Sequence, residues 1–189
     1  ELYQSMLEET ISKIRGGQID VLTSMDNQWS PQINLGVSVL IPETYVSDLD
    51  VRLGLYRRLS NLNKKVEFEG FAAELIDRFG KLPSEVNTLL LVVRIKSVCK
   101  KAGIGKLDGG PKGATVQFYN DKFISPEGLV EFIKNQNGTA KIKDNKLIIR
   151  RDWKKNSDKF KGAFAIARDL AEIAASFEKN IQKKQKSNF

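Results

Sequence analysis

The sequence predicts an α+β fold: a helical N-terminal half of three main helices, then a small mixed or antiparallel sheet with a short helix and a long C-terminal helix. Three observations carry that expectation. Phe68, Phe71, Ala72, Leu75, Ile76 and Phe79 recur at helical spacing along one stripe. Residues 84–102 are apolar on nearly every side, the pattern of a buried helix. After residue 103 the apolar period shortens, and Asn137-Gly138 and Asp144-Asn145 separate short alternating runs.

Taken in order, residues 2–14 (Leu2, Met6, Ile11 and Ile14 among Glu8, Glu9 and Lys13) read as a short amphipathic helix occupying 1–15. Gly16-Gly17 ends it, and the polar stretch 16–31 reads as a linker. Ile33, Leu35, Val37 and Val39 alternate with Asn34, Gly36 and Ser38, which predicts a half-buried strand stopped by Pro42. Ser47 or Asp48 caps the first main helix, and Asp50 suits its positive end. That helix is apolar on two sides, through Leu49, Leu53 and Tyr56 and through Val51, Leu55, Leu59 and Leu62, with Arg52, Arg57 and Arg58 between. The phenylalanine stripe follows and ends at Gly80, a residue free to adopt the left-handed terminating conformation. Burial of its side chains, at about 1.5–3 kcal/mol each, anchors the second helix. Leu82-Pro83-Ser84-Glu85 starts the third, with proline near the first turn, where its missing N–H costs nothing.

Beyond it, Thr115, Val116, Phe118 and Tyr119 suggest a strand, and Ser125-Pro126-Glu127 opens a short helix. Ala140 and Ile142, then Asp144-Asn145, then Leu147 and Ile149 form a hairpin with a two-residue turn. Ser157-Asp158 caps the last helix, whose apolar face carries Phe160, Ala163, Phe164, Ala167, Leu170, Ala171, Ala174 and Phe177. The main domain therefore spans 32–178. A basic tail follows at 179–189, read as frayed around Lys183, Lys184 and Lys186.

Composition narrows the chemistry. The 189 residues include no histidine and one cysteine, Cys99. Imidazole-based catalysis, Cys/His zinc sites and an internal disulfide are all excluded on that count. Carboxylate-bound Mg²⁺ needs a cluster of acids, and none stands out. No run approaches the roughly 18 apolar residues of a membrane span, so no membrane partner is expected. The N-terminus has no basic region followed by an apolar stretch, so no signal peptide is read there. The chain opens on Glu1 with no initiator methionine and reads as cut from a longer protein, expected in the cytoplasm.

The net charge of +8 is unevenly placed: residues 1–80 hold 8 Lys/Arg against 12 Asp/Glu, and residues 81–189 hold 23 against 11. Such a basic half suits nucleic acid, or is a set of solvated lysines.

Four features compete as sites. Gly103-Ile104-Gly105-Lys106-Leu107-Asp108-Gly109-Gly110 carries Leu107 where a phosphate loop needs Ser or Thr after its lysine. It also leaves a helix instead of entering one, so it reads as a helix C-cap followed by a glycine turn. Cys99 sits in the buried helix and reads as inert packing. Lys141, Lys143, Lys146, Arg150, Arg151, Lys154 and Lys155, with Trp153, are candidate DNA contacts; alternating lysine on a hairpin is equally an edge-protecting device. Finally, Glu74, Asp77 and Arg78 lie off the phenylalanine stripe near a helix C-terminus, where carboxylates are disfavoured unless compensated, for instance by a basic partner surface.

A likeness then joins these segments. Ile41-Pro42-Glu43-Thr44-Tyr45-Val46, Asp50-Val51-Arg52-Leu53, Leu55-Tyr56-Arg57-Arg58-Leu59, Glu74-Leu75-Ile76-Asp77-Arg78-Phe79-Gly80-Lys81-Leu82-Pro83 and Lys101-Ala102-Gly103-Ile104-Gly105-Lys106-Leu107-Asp108 follow in order. Together they resemble the C-terminal (TRCF) domain of bacterial transcription-repair coupling factors (Mfd). The likeness is strongest over residues 33–120 and extends more loosely to about 175, and residues 1–14 resemble the segment closing the motor that precedes this domain. The resemblance implies a parent that is an ATP-dependent, helicase-like DNA translocase removing stalled RNA polymerase and recruiting excision repair. ATP and Mg²⁺ would belong to the parent's motor domains, with no cofactor and no catalytic residue in this segment. It further implies a regulatory, autoinhibitory role: the domain packs on an N-terminal module resembling excinuclease B and covers the surface that binds excinuclease A. Glu74, Asp77 and Arg78 match the family motif and are the expected contact, with residues 16–31 as hinge. The alternative is a basic DNA-binding module using residues 141–186.

Overall fold

The structure is a computed structural model that describes residues 29–186, Ser38 excepted. The helix expected at 1–15 and most of the expected linker lie outside the described residues. The chain divides into two compact units, residues 1–97 and 98–189. The architecture is α+β, with a long C-terminal helix as expected.

In the first unit, strand β1 (Gln32–Asn34) is shorter than the predicted run to Val39. Its end has a local cause. The Asn34 Oδ1 accepts a hydrogen bond from the Gly36 N–H (3.2 Å), and Gly36 adopts φ +66°, which no extended strand tolerates. The alternation still sorts side chains, since Leu35, Val39 and Ile41 are buried.

Helix α1 (Leu49–Ser60) starts where the sequence places it: the Asp48 carboxylate accepts from the Val51 N–H at 2.8 Å. Helix α2 (Lys65–Phe79) opens with the Glu67 carboxylate accepting from the Asn63 and Lys64 N–H groups, at 2.7 and 2.9 Å. Phe68, Phe71 and Leu75 of the stripe are buried, but Ile76 is 50% exposed. The stripe is therefore narrower than its spacing suggested.

Helix α3 (Ser84–Lys101) runs to the boundary of the unit and past it. Val86, Leu89, Val92, Val93 and Ile95 are buried, whereas Leu91 is 46% exposed. The expectation of burial on all sides is corrected to one broad buried face. Two tyrosines tie this unit together. The Tyr56 hydroxyl accepts from the Ile41 N–H at 2.6 Å. The Tyr45 hydroxyl stands 3.0 and 2.9 Å from the carbonyls of Leu75 and Gly80, where α2 ends.

The second unit contains strands β2 (Ile104–Gly110), β3 (Gly113–Phe118), β4 (Ala140–Lys143) and β5 (Lys146–Arg150), with helices α4 (Pro126–Asn135) and α5 (Asn156–Lys186). The four strands lie in the order β2-β3-β5-β4, and every pairing among them is antiparallel. The β4–β5 turn has Asp144 and Asn145 at φ +51° and +57°, as expected for a two-residue hairpin.

The glycine-rich segment after α3 corrects a prediction. Gly103 (φ +70°) does terminate the helix, but residues 104–110 then form β2, and the turn falls at Pro111-Lys112. Glycine's poor strand propensity is outweighed by the ladder to β3 and by the complete burial of Ile104 and Leu107. Leu107, Ala114, Val116, Leu147 and Ile149 line the inner face, and Ala163, Ile166, Ala167, Leu170 and Ala174 bury the matching face of α5. Ser125 caps α4 by accepting from the Gly128 N–H. Helix α5 continues through Lys186, past the point where fraying was expected.

Candidate functional site

The second half of α2 gathers a charged cluster on aromatic support. Arg58, in the last turn of α1, meets Glu74 fork to fork: Nη1 donates to Oε1 at 2.8 Å and Nη2 to Oε2 at 2.6 Å. One helical turn on, Arg78 Nη1 donates to the same Oε1 at 3.0 Å. Both guanidinium groups lie on rings of the phenylalanine stripe, Arg58 at 5.2 Å from the centre of Phe71 and Arg78 at 4.8 Å from that of Phe79. Phe79 in turn meets Tyr45 edge-on at 5.8 Å. The stripe thus anchors the helix and also carries its ion pairs.

The two guanidinium groups, Arg58 first, hold the Glu74 carboxyl down to about 2, from an ordinary 4.5. Glu74 raises the Arg58 pKa in return. A carboxylate held ionised and doubly paired suits charge recognition and is a poor proton donor at neutral pH. The compensation anticipated for an acidic residue near this helix end is, for Glu74, supplied within the chain. Asp77 lies exposed on the same turn, beside half-exposed Ile76. The expected trio Glu74, Asp77 and Arg78 is therefore brought together. Arg58 joins it unannounced, because only the packing of α1 on α2 makes residues 16 apart into a pair.

The basic candidates separate. Lys141, Lys143, Lys146 and Arg150 are exposed on β4 and β5. Arg151 is turned into a local polar network, donating to Gln136 and to the Thr139 hydroxyl. Lys154 pairs with Asp152 at 3.4 Å, and exposed Lys155 precedes α5, its N–H bonded to Asp158. Trp153, grouped with these lysines as a flanking aromatic, is buried over Gly162 of α5. Its ring belongs to the core and is withdrawn from any stacking role. Cys99 is a free, buried thiol whose pKa burial pushes far upward. Among the described residues no group of three acids or cysteines is placed to hold a metal ion, and no helix is long and apolar enough to cross a membrane.

Fold and surface together define an α+β domain whose best-organised exposed feature is a charged, aromatic-backed helix end. The TRCF domain family matches residues 35–129, and the chain belongs to that family. It is 46% identical over 149 residues to the transcription-repair-coupling factor of Rickettsia bellii, covering 78% of this chain. It is 31% identical over 135 residues to that of Escherichia coli K12, covering 71%. The chain spans only 13% and 12% of those relatives' lengths. Its fold resembles a crystal structure of the C-terminal domain of transcription-repair coupling factor, with TM-score 0.66 and 23% identity over 81% of this chain and 99% of that one.

Proposed function

We propose that this domain is the regulatory C-terminal segment of a transcription-repair coupling factor, holding its parent in a resting state by docking the α2 cluster on another module of the same protein. The module is the excinuclease-B-like N-terminal one, and docking covers the surface that excinuclease A would bind. The parent acts in the cytoplasm as an ATP-dependent DNA translocase on stalled RNA polymerase, with ATP and Mg²⁺ in its motor domains.

The observation that carries this reading is the Arg58–Glu74–Arg78 network beside exposed Asp77 and Ile76. Two guanidinium groups and two carboxylates leave the cluster formally neutral, so Asp77 offers the free negative charge. A basic partner would pair with Asp77 and compete with Arg58 and Arg78 for Glu74. Such exchange of one ion pair for another yields little net energy, roughly 0.2–1 kcal/mol per exposed pair, which suits a contact that must release. Ile76 adds apolar area at the centre of the contact. Titrating the 189-residue chain with the N-terminal module should give saturable binding that weakens with salt; absence of binding at low salt would remove this assignment.

A further inference from the structure

The sheet of the second unit has an outer face that the α2 reading does not use. Its register puts Lys106, Gln117, Lys146 and Lys143 opposite one another in a single row across β2, β3, β5 and β4. With adjacent strands about 4.8 Å apart, the row is about 14 Å wide. Lys141, opposite Ile148, and Arg150, opposite Gly113, extend the same face. All five cations are exposed. Asp108 is the one acid on the face, 3.6 Å from Lys106. Asp144 in the hairpin turn and Asp121 near Gln117 border it. Among the described residues, Lys141, Lys143, Lys146 and Arg150 have no carboxylate within 4 Å.

Two details argue against an accidental scatter of lysine. Lys106 reaches this face only because the β2–β3 register shifts between Ile104 and Lys106. Without that bulge at Gly105, strict alternation would put Lys106 on the same side as Ile104, which is wholly buried. Lys143 and Lys146, in turn, face each other directly across the hairpin, an arrangement of like charges that destabilises a strand pair. A bound anion would reverse that penalty.

We infer that this outer sheet face binds the phosphate backbone of duplex DNA without reading its sequence. The occupant follows from chemistry on the face. Its cations are four lysines and one arginine, and the row is wider than the roughly 12 Å major groove, so it can meet phosphates on both walls. No aromatic side chain lies among its residues, so it lacks the stacking platform that single strands require. The face shares no residue with the Arg58–Glu74 cluster, and this inference stands or falls independently of the docking reading.

The test is fluorescence anisotropy of a labelled 30-base-pair duplex of arbitrary sequence, titrated with the 189-residue chain between about 20 and 200 mM salt. Expected is binding whose log K falls with log salt by about 0.9 per phosphate neutralised. Replacing Lys106, Lys143 and Lys146 together by Gln should weaken binding at least tenfold and flatten that slope by about 2–3. A second variant, Lys179, Lys183, Lys184 and Lys186 to Gln, should keep wild-type affinity. Circular dichroism and urea midpoints establish that both variants fold, and Lys143→Gln alone supplies a milder variant. Four results would overturn the inference: no duplex binding at the lowest salt; binding lost in the tail variant but kept in the sheet variant; equal affinity for a single strand of the same length; or polyglutamate displacing the duplex at equal charge, which would indicate an acidic protein partner.

Discussion

Arg58 and Glu74, from neighbouring helices and 16 residues apart, form a two-bond fork at 2.8 and 2.6 Å over the ring of Phe71. The pair converts the packing of α1 on α2 into a defined charge pattern. The Glu74 side chain retains 34% of its exposure, so water still screens the interaction. A double-mutant cycle of Arg58→Ala and Glu74→Ala, read from urea unfolding of the chain, should give a coupling of about 0.5–1 kcal/mol. A coupling indistinguishable from zero would mean the fork is not maintained in solution.

Glu74 also predicts a pH dependence. Its folded pKa, about 2, lies below the ordinary 4.5 of the unfolded chain. The stabilisation is therefore fully present above about pH 4.5 and is lost as pH falls toward about 2. Glu74→Gln removes the titrating group, so its unfolding midpoint should fall less steeply across that window than the wild type's. Parallel curves would contradict the assigned shift.

Cys99 is buried near the C-terminal end of α3, and burial holds it as the neutral thiol. A water-soluble disulfide reagent should leave the native chain unlabelled for hours and modify one thiol promptly in denaturant. Rapid native labelling would show that the end of this helix opens.

The contact between Trp153 and Gly162 predicts a steep size limit. A methyl group at Gly162 would overlap the indole, so Gly162→Ala should cost about 1–3 kcal/mol and shift tryptophan emission. Gly54, within α1, has open space around its Cβ position. Gly54→Ala should instead stabilise by about 0.5–1 kcal/mol. Equal effects of the two substitutions would contradict the packing described.

Much of the fold is legible in the sequence wherever one short-range rule decides. Asp48, one of the two residues expected to cap α1, caps it, Ser125 stands at the opening of α4, and Asp144-Asn145 turns the hairpin in two residues. Legibility ends where partners distant in sequence decide. The segment Gly105-Lys106-Leu107-Asp108-Gly109-Gly110 reads locally as a turn, and is a strand only because β3 pairs with it. Ile76 fits the helical stripe by spacing yet faces outward, since the buried arc covers only Phe68, Phe71 and Leu75. The candidate site shows the same division. Glu74, Asp77 and Arg78 were visible as a cluster on one helix, whereas Arg58 and Tyr45 enter through packing of other segments on α2.

If the α2 cluster holds a larger protein at rest, as proposed, the full-length parent carrying Glu74→Lys and Asp77→Lys should be released from that state. Binding of excinuclease A should rise from its resting level, together with ATPase rate, while the isolated domain stays folded. Resting-level binding and resting-level ATPase rate in that variant would mean that the α2 cluster does not restrain the parent.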